Sequence, residues 1–134
     1  MFITAMAGRL IPSQRLLRLA NAGHCQPILV RANGEAREME SPSSLPVGIA
    51  PGIKYEEIRL VLEPGDRFVL FTDGLSESQA NESEPMFESQ LLQVASGRHA
   101  DPSELMNRIL DAATLHRKGA TARDDLSILV GGFE

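Results

Sequence analysis

The hydrophobic pattern of this chain changes period once, near its middle. Up to about residue 72 the apolar positions come in short runs separated by turn residues. Phe2 to Leu10, Arg15 to Ala20, Pro27 to Arg31 and Lys54 to Leu60 read as strands, divided by Pro12-Ser13, Asn21-Ala22-Gly23, Asn33-Gly34 and the Pro42 to Gly52 segment. Asn33-Gly34 is the sharpest hairpin signal and predicts a type I′ turn with positive φ at both residues. Glu63-Pro64-Gly65-Asp66 forms a tight turn into Phe68 to Thr72, whose lack of alternation predicts a central strand covered on both faces.

Beyond Gly74 the apolar period becomes helical. Ser76 to Glu84 is polar and reads as a surface loop; Phe87, Leu91, Leu92, Val94 and Ala95 then mark one amphipathic helix. A second begins at Asp101, with Pro102 at its first position and Glu104 placed for a capping box, and carries Leu105, Ile109 and Ala113 as a buried stripe. Lys118-Gly119 ends it, and Leu126 to Val130 returns to a strand with Gly131-Gly132 behind it. Strands, then two helices, then a strand predict an α+β fold, with helices packed on an antiparallel sheet.

Composition narrows the functional classes. The 134 residues, 43% of them hydrophobic, suit one domain with its own core. A formal net charge of -5, with no basic run, disfavours nucleic acid and anionic membrane as partners. Cys25 is the only cysteine, no apolar stretch approaches a membrane span, and the N-terminus has no signal-peptide pattern, so a reducing cytoplasm is expected.

The candidate chemistry lies in two aspartate signals, Phe71-Thr72-Asp73-Gly74 and Arg123-Asp124-Asp125-Leu126-Ser127, each beside an apolar strand. A carboxylate desolvated there costs several kcal/mol unless compensated, and a divalent cation would compensate it. Oxygen donors without a cysteine or histidine cluster favour Mg²⁺ or Mn²⁺ over zinc, which points to phosphate chemistry. Read alone, Asp73 is equally a turn aspartate capping its own backbone. His24 is a candidate general acid or metal ligand, although a histidine at a strand exit more simply bonds the backbone. Arg123 is suited to bind phosphate, but a salt bridge to Asp124 or Asp125 is the preferred expectation. Glu77 and the acidic loop to Glu84 read as solvated surface, His99 and His116 need no function, and Cys25 has no activating partner.

Taken in order, Asn21-Ala22-Gly23-His24, Leu45-Pro46-Val47-Gly48-Ile49, Leu62-Glu63-Pro64-Gly65-Asp66, Phe71-Thr72-Asp73-Gly74-Leu75-Ser76-Glu77 and Asp124-Asp125-Leu126-Ser127 resemble the motifs of the bacterial SpoIIE and RsbU-like phosphatases. These belong to the metal-dependent protein phosphatases, or protein phosphatase 2C family. The resemblance implies an antiparallel β-sandwich flanked by helices, with a dinuclear Mg²⁺ or Mn²⁺ centre at one end. It implies hydrolysis of phosphoserine or phosphothreonine on a protein, often an anti-sigma-factor antagonist of the STAS class. By motif, Asp73 and Asp124 match metal ligands, Asp125 a further or alternative ligand, and Gly74 the turn beneath them. Two such ions hold a hydroxide at neutral pH and neutralise phosphoryl charge as water attacks.

One family motif has no counterpart. The early Asp-Gly motif supplies a carboxylate that bridges both metals, and no aspartate precedes Asp66 here. The match therefore corresponds to the C-terminal two-thirds of the family domain. Asp73 and Asp124 bring two negative charges against four positive ones. The expectation is a partial phosphatase domain with little activity alone, or a non-catalytic regulatory module that keeps the fold. Sheet edges left open predict self-association, most simply as a homodimer. A haloacid-dehalogenase-like site is disfavoured because Leu75 stands where its second aspartate would be, and no Gly-rich nucleotide loop is present.

Overall fold

The computed structural model describes residues 1–42 and 44–134; of the Pro42 to Gly52 segment, Ser43 lies outside the described residues. Two antiparallel sheets stack face to face. The first holds β1 (Ala5–Ile11), β2 (Leu16–Ala22) and β5 (Glu57–Val61) in the order β1-β2-β5. The second holds β3 (Ile28–Val30), β4 (Ala36–Glu38), β6 (Arg67–Phe71) and β7 (Ile128–Gly132) in the order β4-β3-β6-β7. A one-turn helix α1 (Asp73–Ser76) follows β6, and α2 (Glu88–Ala95) and α3 (Pro102–His116) come before β7. The α+β class read from the order of elements, and the helix-flanked antiparallel sandwich that the motif resemblance implies, are the fold observed.

The four-stranded sheet carries two cores, one on each face. Ile28, Val30, Val69 and Phe71 point outward and pack with Leu91 and Ala95 of α2 and with Leu105, Ile109 and Ala113 of α3. Leu29 and Phe68 point the other way, onto Leu17 and Leu19 of the first sheet, with Leu62 and Met39 closing the layer. The unbroken apolar run of β6 follows from this double coverage. The first sheet is buried on one face only, so β2 and β5 alternate: Leu17, Leu19, Ile58 and Leu60 face inward, while Arg18 and Glu57 pair across the outer face.

Several boundaries differ from the sequence reading for identifiable reasons. β1 starts at Ala5, because Ile3 instead exchanges backbone hydrogen bonds with Val47. β7 runs two residues past Val130: Gly131 and Gly132 lie within the strand, where a side chain would strike the Phe68 ring or the Asp66 carbonyl. The Asn33-Gly34 hairpin exists, but only Gly34 has positive φ, at 94°. Gly34 N–H donates to Arg31 O and Arg31 N–H to Glu35 O, so a type I turn with a glycine bulge replaces the expected I′ turn. At α3, Asp101 caps the Glu104 N–H at 2.9 Å as expected, but the Glu104 carboxylate accepts from Ala100 N–H, one residue earlier than a capping box requires.

The tight turn before β6 holds Asp66, the one fully buried aspartate among the described residues. Asp66 accepts from Arg31 Nη1 at 2.6 Å, Ala32 N–H at 2.9 Å and Glu63 N–H at 2.9 Å. Burial pushes its pKa up, but the Glu63 and Ala32 amides and the Arg31 guanidinium outweigh that and leave it below the ordinary carboxylate value. Since the folded pKa lies below the unfolded one, the stabilisation is complete above the unfolded value of about 4. It is lost as pH falls through the folded value. Asp66→Asn should cost about 3 kcal/mol at neutral pH, because an amide turns a donor toward donors and leaves Arg31 unpaired. Urea denaturation from neutral pH down into the acid range should show the wild-type advantage shrinking below about pH 4.

Candidate metal centre

The end of β6 and the start of β7 hold the two aspartate motifs side by side. β6 and β7 pair in register from Arg67 opposite Gly132 to Phe71 opposite Ile128, so the chain enters at 123–127 and leaves at 72–74 on the same end of the sheet. Thr72 closes this end. Its N–H donates to Ser127 O at 3.0 Å, and its hydroxyl oxygen accepts from Ser127 N–H at 2.9 Å. The hydroxyl also lies 3.4 Å from Asp125 O. The threonine of Thr72-Asp73-Gly74 thus acts as a clasp between the motifs.

Gly74 brings the backbones into direct contact. A Cβ at this position would lie 2.3 Å from Asp125 O, a distance no side chain tolerates, and a tight 3.3 Å from Asp124 O. The glycine is therefore required by close approach of the second motif rather than by the tight turn expected of it, since it lies within α1 without a positive φ. Asp73 occupies the first turn of α1 and is exposed, as are Asp124 and Asp125.

That exposure corrects the energetic argument made from sequence. The carboxylates stand at the rim of the sandwich rather than inside it, so no desolvation penalty demands a compensating cation. Asp73 also departs from its structural alternative: among the described residues its carboxylate caps no backbone amide, whereas its carbonyl accepts from Glu77 N–H. Asp124 Oδ1 accepts from Asp125 N–H at 2.7 Å, which orders the local turn.

As a metal site the arrangement is incomplete. Among the described residues, no three Asp, Glu, His or Cys side chains converge as a ligand group. Asp73, Asp124 and Asp125 are brought to one end of the fold, but they do not form the ligand set that a dinuclear centre requires. No hydrolytic step can be assigned to these residues alone.

His24 does not join them as a ligand. Its ring Nδ1 lies 3.4 Å from the Thr4 hydroxyl, and it sits in the turn after β2. That turn is held by Asn21, which is buried: Asn21 Oδ1 accepts from His24 N–H at 2.7 Å, and Asn21 Nδ2 donates to His24 O at 3.0 Å and to Ser41 Oγ at 2.9 Å. The conspicuous histidine of Asn21-Ala22-Gly23-His24 is thus less committed than its asparagine, which holds the turn. Cys25 is half-buried with its thiol pKa raised, chiefly by burial, as befits an unreactive position.

Two expectations about neighbouring charges are overturned. Arg123 pairs with Glu82 at 3.7 Å, not with Asp124 or Asp125. The Ser76 to Glu84 segment is not wholly a solvated surface either. Ser76, Ser78 and Gln79 are buried, with Ser78 Oγ donating to Gly74 O at 2.8 Å, and Glu84 pairs with Lys118 at 2.9 Å. Glu77, read from the sequence as solvated surface, is exposed as expected, but it also lines a cleft with Gly74 and Asp124, a proximity to the site that the reading did not give it. Its place one helical turn after Asp73 was the available signal.

The family match now has a structural counterpart. Residues 1–133 match the family described as Stage II sporulation protein E (SpoIIE). The chain belongs to the SpoIIE family. It falls in the SpoIIE/RsbU-like branch of the metal-dependent protein phosphatases, and its sheets and helices are those of a protein phosphatase 2C-like domain. The SiaA-PP2C domain of Pseudomonas aeruginosa superposes with a TM-score of 0.79 at 22% identity, over 98% of this chain and 51% of that one. The manganese-presoaked phosphatase domain of SpoIIE from Bacillus subtilis gives 0.76 at 14% identity, over 98% and 56%. Among curated proteins, Protein IcfG of Synechocystis sp. is 22% identical over 96% of this chain, which spans 20% of that protein. The chain thus covers about half of these solved domains and a fifth of the curated relative.

The contact at Gly74 makes a direct prediction. Gly74→Ala should destabilise the fold by about 1–3 kcal/mol through overpacking against the Asp125 carbonyl. Denaturant titration checks this, and a variant as stable as wild type would show that the two motifs do not touch.

Proposed function

We propose that this SpoIIE-family chain is the Asp73- and Asp124-bearing part of a metal-dependent protein phosphatase. Its substrate is a phosphoserine or phosphothreonine protein of the STAS-type anti-sigma-factor antagonist class, in stress or sigma-factor signalling. The observation that carries this reading is the Gly74 contact: it places the Thr72-Asp73-Gly74 and Asp124-Asp125 motifs back to back at one exposed end of the sheet. Exposed carboxylates at a sheet end are accessible to both a hydrated cation and a phosphorylated side chain. Mn²⁺ or Mg²⁺ is the metal consistent with oxygen donors. One relative's structure was determined after soaking in manganese, and another, RsbX, in complex with magnesium.

Full activity needs at least one further carboxylate, because among the described residues no three-donor cluster exists. We place that donor either on further polypeptide of the same protein or on a second copy of this chain. The same shortfall supports the second reading, in which the chain on its own is a regulatory or protein-binding module retaining the phosphatase fold. The two readings separate by calorimetry. Mn²⁺ titrated into the chain should bind weakly, with Kd above about 0.1 mM, and Asp73→Asn should abolish what binding there is. Tight uptake of two ions would mean the site is completed across a dimer, which light scattering would reveal.

The enzymatic assignment is tested by phosphate release from a phosphorylated STAS-type protein in Mn²⁺, using the longest natural polypeptide that contains this chain. Asp73→Asn and Asp124→Asn should each lower turnover by at least the roughly 10–100-fold that disturbing a metal's outer shell costs. Turnover unchanged in both variants would remove these aspartates from the mechanism.

A further inference from the structure

Beside Asp124 lies a cleft of about 80 Å³ whose walls include Gly74, Glu77, Arg117, Thr121 and Arg123. This is room for several waters, and so for a phosphoryl group. Its two guanidinium groups have little else to do. Arg117, itself partly buried, has one side-chain partner at the limit of hydrogen bonding, the Thr114 hydroxyl at 3.5 Å, and Arg123 reaches Glu82 only at 3.7 Å, where the Arg123 and Glu82 side chains are each more than half exposed. Arg15 and Arg31, by contrast, hold carboxylates at 2.8 and 2.6 Å.

We propose that Arg117 and Arg123 form a binding site for the phosphorylated segment of a protein substrate, seating its phosphoserine in the cleft beside Asp124. The proposal deepens the phosphatase reading and rests on it for the identity of the ligand. Arg123 already faces one anion from outside the cleft: the Glu82 carboxylate, on the loop between α1 and α2, pairs with it loosely. Glu84 of the same loop holds Lys118. A phosphoserine, with a charge of about −1.5 to −2 and three acceptor oxygens, is a stronger partner for an arginine fork than an exposed, distant carboxylate. It would displace Glu82 and engage both guanidiniums. Glu77 and Asp124 face the same cleft and balance the two arginines, so bulk attraction for a free anion is small. Recognition then depends on bidentate geometry, together with the peptide that carries the phosphate.

Fluorescence anisotropy of a labelled short serine phosphopeptide, with its unphosphorylated twin and with EDTA present, tests this on the chain as it stands. The phosphopeptide should bind about tenfold or more tightly than the twin. The Arg117→Ala/Arg123→Ala double variant should lose that difference, and the corresponding double lysine variant should restore it only in part. Circular dichroism confirms that the variants fold. Equal affinity for both peptides, or a double variant that still discriminates, overturns the proposal. Competition by inorganic phosphate at concentrations matching the phosphopeptide also overturns it, because the ligand would then be free phosphate. Metal-free binding separates this site from the phosphatase reading. Arginine-dependent binding with no hydrolysis in the longer protein would remove the enzyme assignment alone; hydrolysis with unchanged binding in the double variant would remove this site alone.

Discussion

The arrangement of this molecule depends on one pairing, that of β6 with β7. These strands are adjacent in space although 56 residues of chain separate the end of one from the start of the other, and their sheet is covered on both faces. Burial on both sides leaves no freedom to slip the register, since a one-residue shift would exchange the residues facing the helices for those facing the first sheet. The register fixes which residues meet at each end. At one end Gly132 lies against the Asp66 carbonyl; at the other Thr72 clasps Ser127 and Gly74 abuts Asp125. The proximity of the two aspartate motifs is thus a consequence of packing several residues away from them.

The two ends treat carboxylates oppositely. Asp66 is withdrawn from water and satisfied three times over, by two backbone amides and Arg31. It ties the turn before β6 to the β3–β4 hairpin, and its negative charge is spent on structure. Asp73, Asp124 and Asp125 are left in solvent, and only Asp124 makes a short local hydrogen bond. A carboxylate committed as fully as Asp66 could not exchange partners for a cation or a substrate. The rim position of the other three keeps them accessible, at the cost of leaving a site that the fold alone does not complete.

The strands and helices were legible because their periods differ, whereas the division into two sheets came only with the motif resemblance: β2 and β5 alternate, β6 does not, and α3 repeats Leu105, Ile109 and Ala113 at helical spacing. The glycines of β7 were not legible as strand. Nothing local distinguishes them from a terminating pair, and the Phe68 ring that requires one of them lies some sixty residues earlier. The motif aspartates were found as positions, yet their exposure was misjudged because an apolar strand says nothing of how far its final residue protrudes. Asn21 and Asp66 were passed over as turn residues. Their significance is that distant groups, Ser41 for one and Arg31 for the other, complete their hydrogen bonds.

The same long-range logic governs the charges around the site. Adjacency in sequence made Asp124 and Asp125 the natural partners of Arg123, but in the fold its guanidinium meets Glu82. His116 reaches Pro85 O at 2.7 Å and Lys118 reaches Glu84, so the loop between α1 and α2 is fastened to the end of α3 and the segment that leads from it to β7 along three successive contacts. Those contacts loosen toward Asp124, from a hydrogen bond at partly buried His116 to a distant, solvent-exposed ion pair at Arg123. Exposed pairs of that kind contribute about 0–1 kcal/mol, so the loop end nearest the carboxylates is the one most easily exchanged for another anion. Packing holds Asp73 and Asp124 in place while the adjoining positive charge stays weakly committed, which is the condition for an anionic ligand to enter beside them.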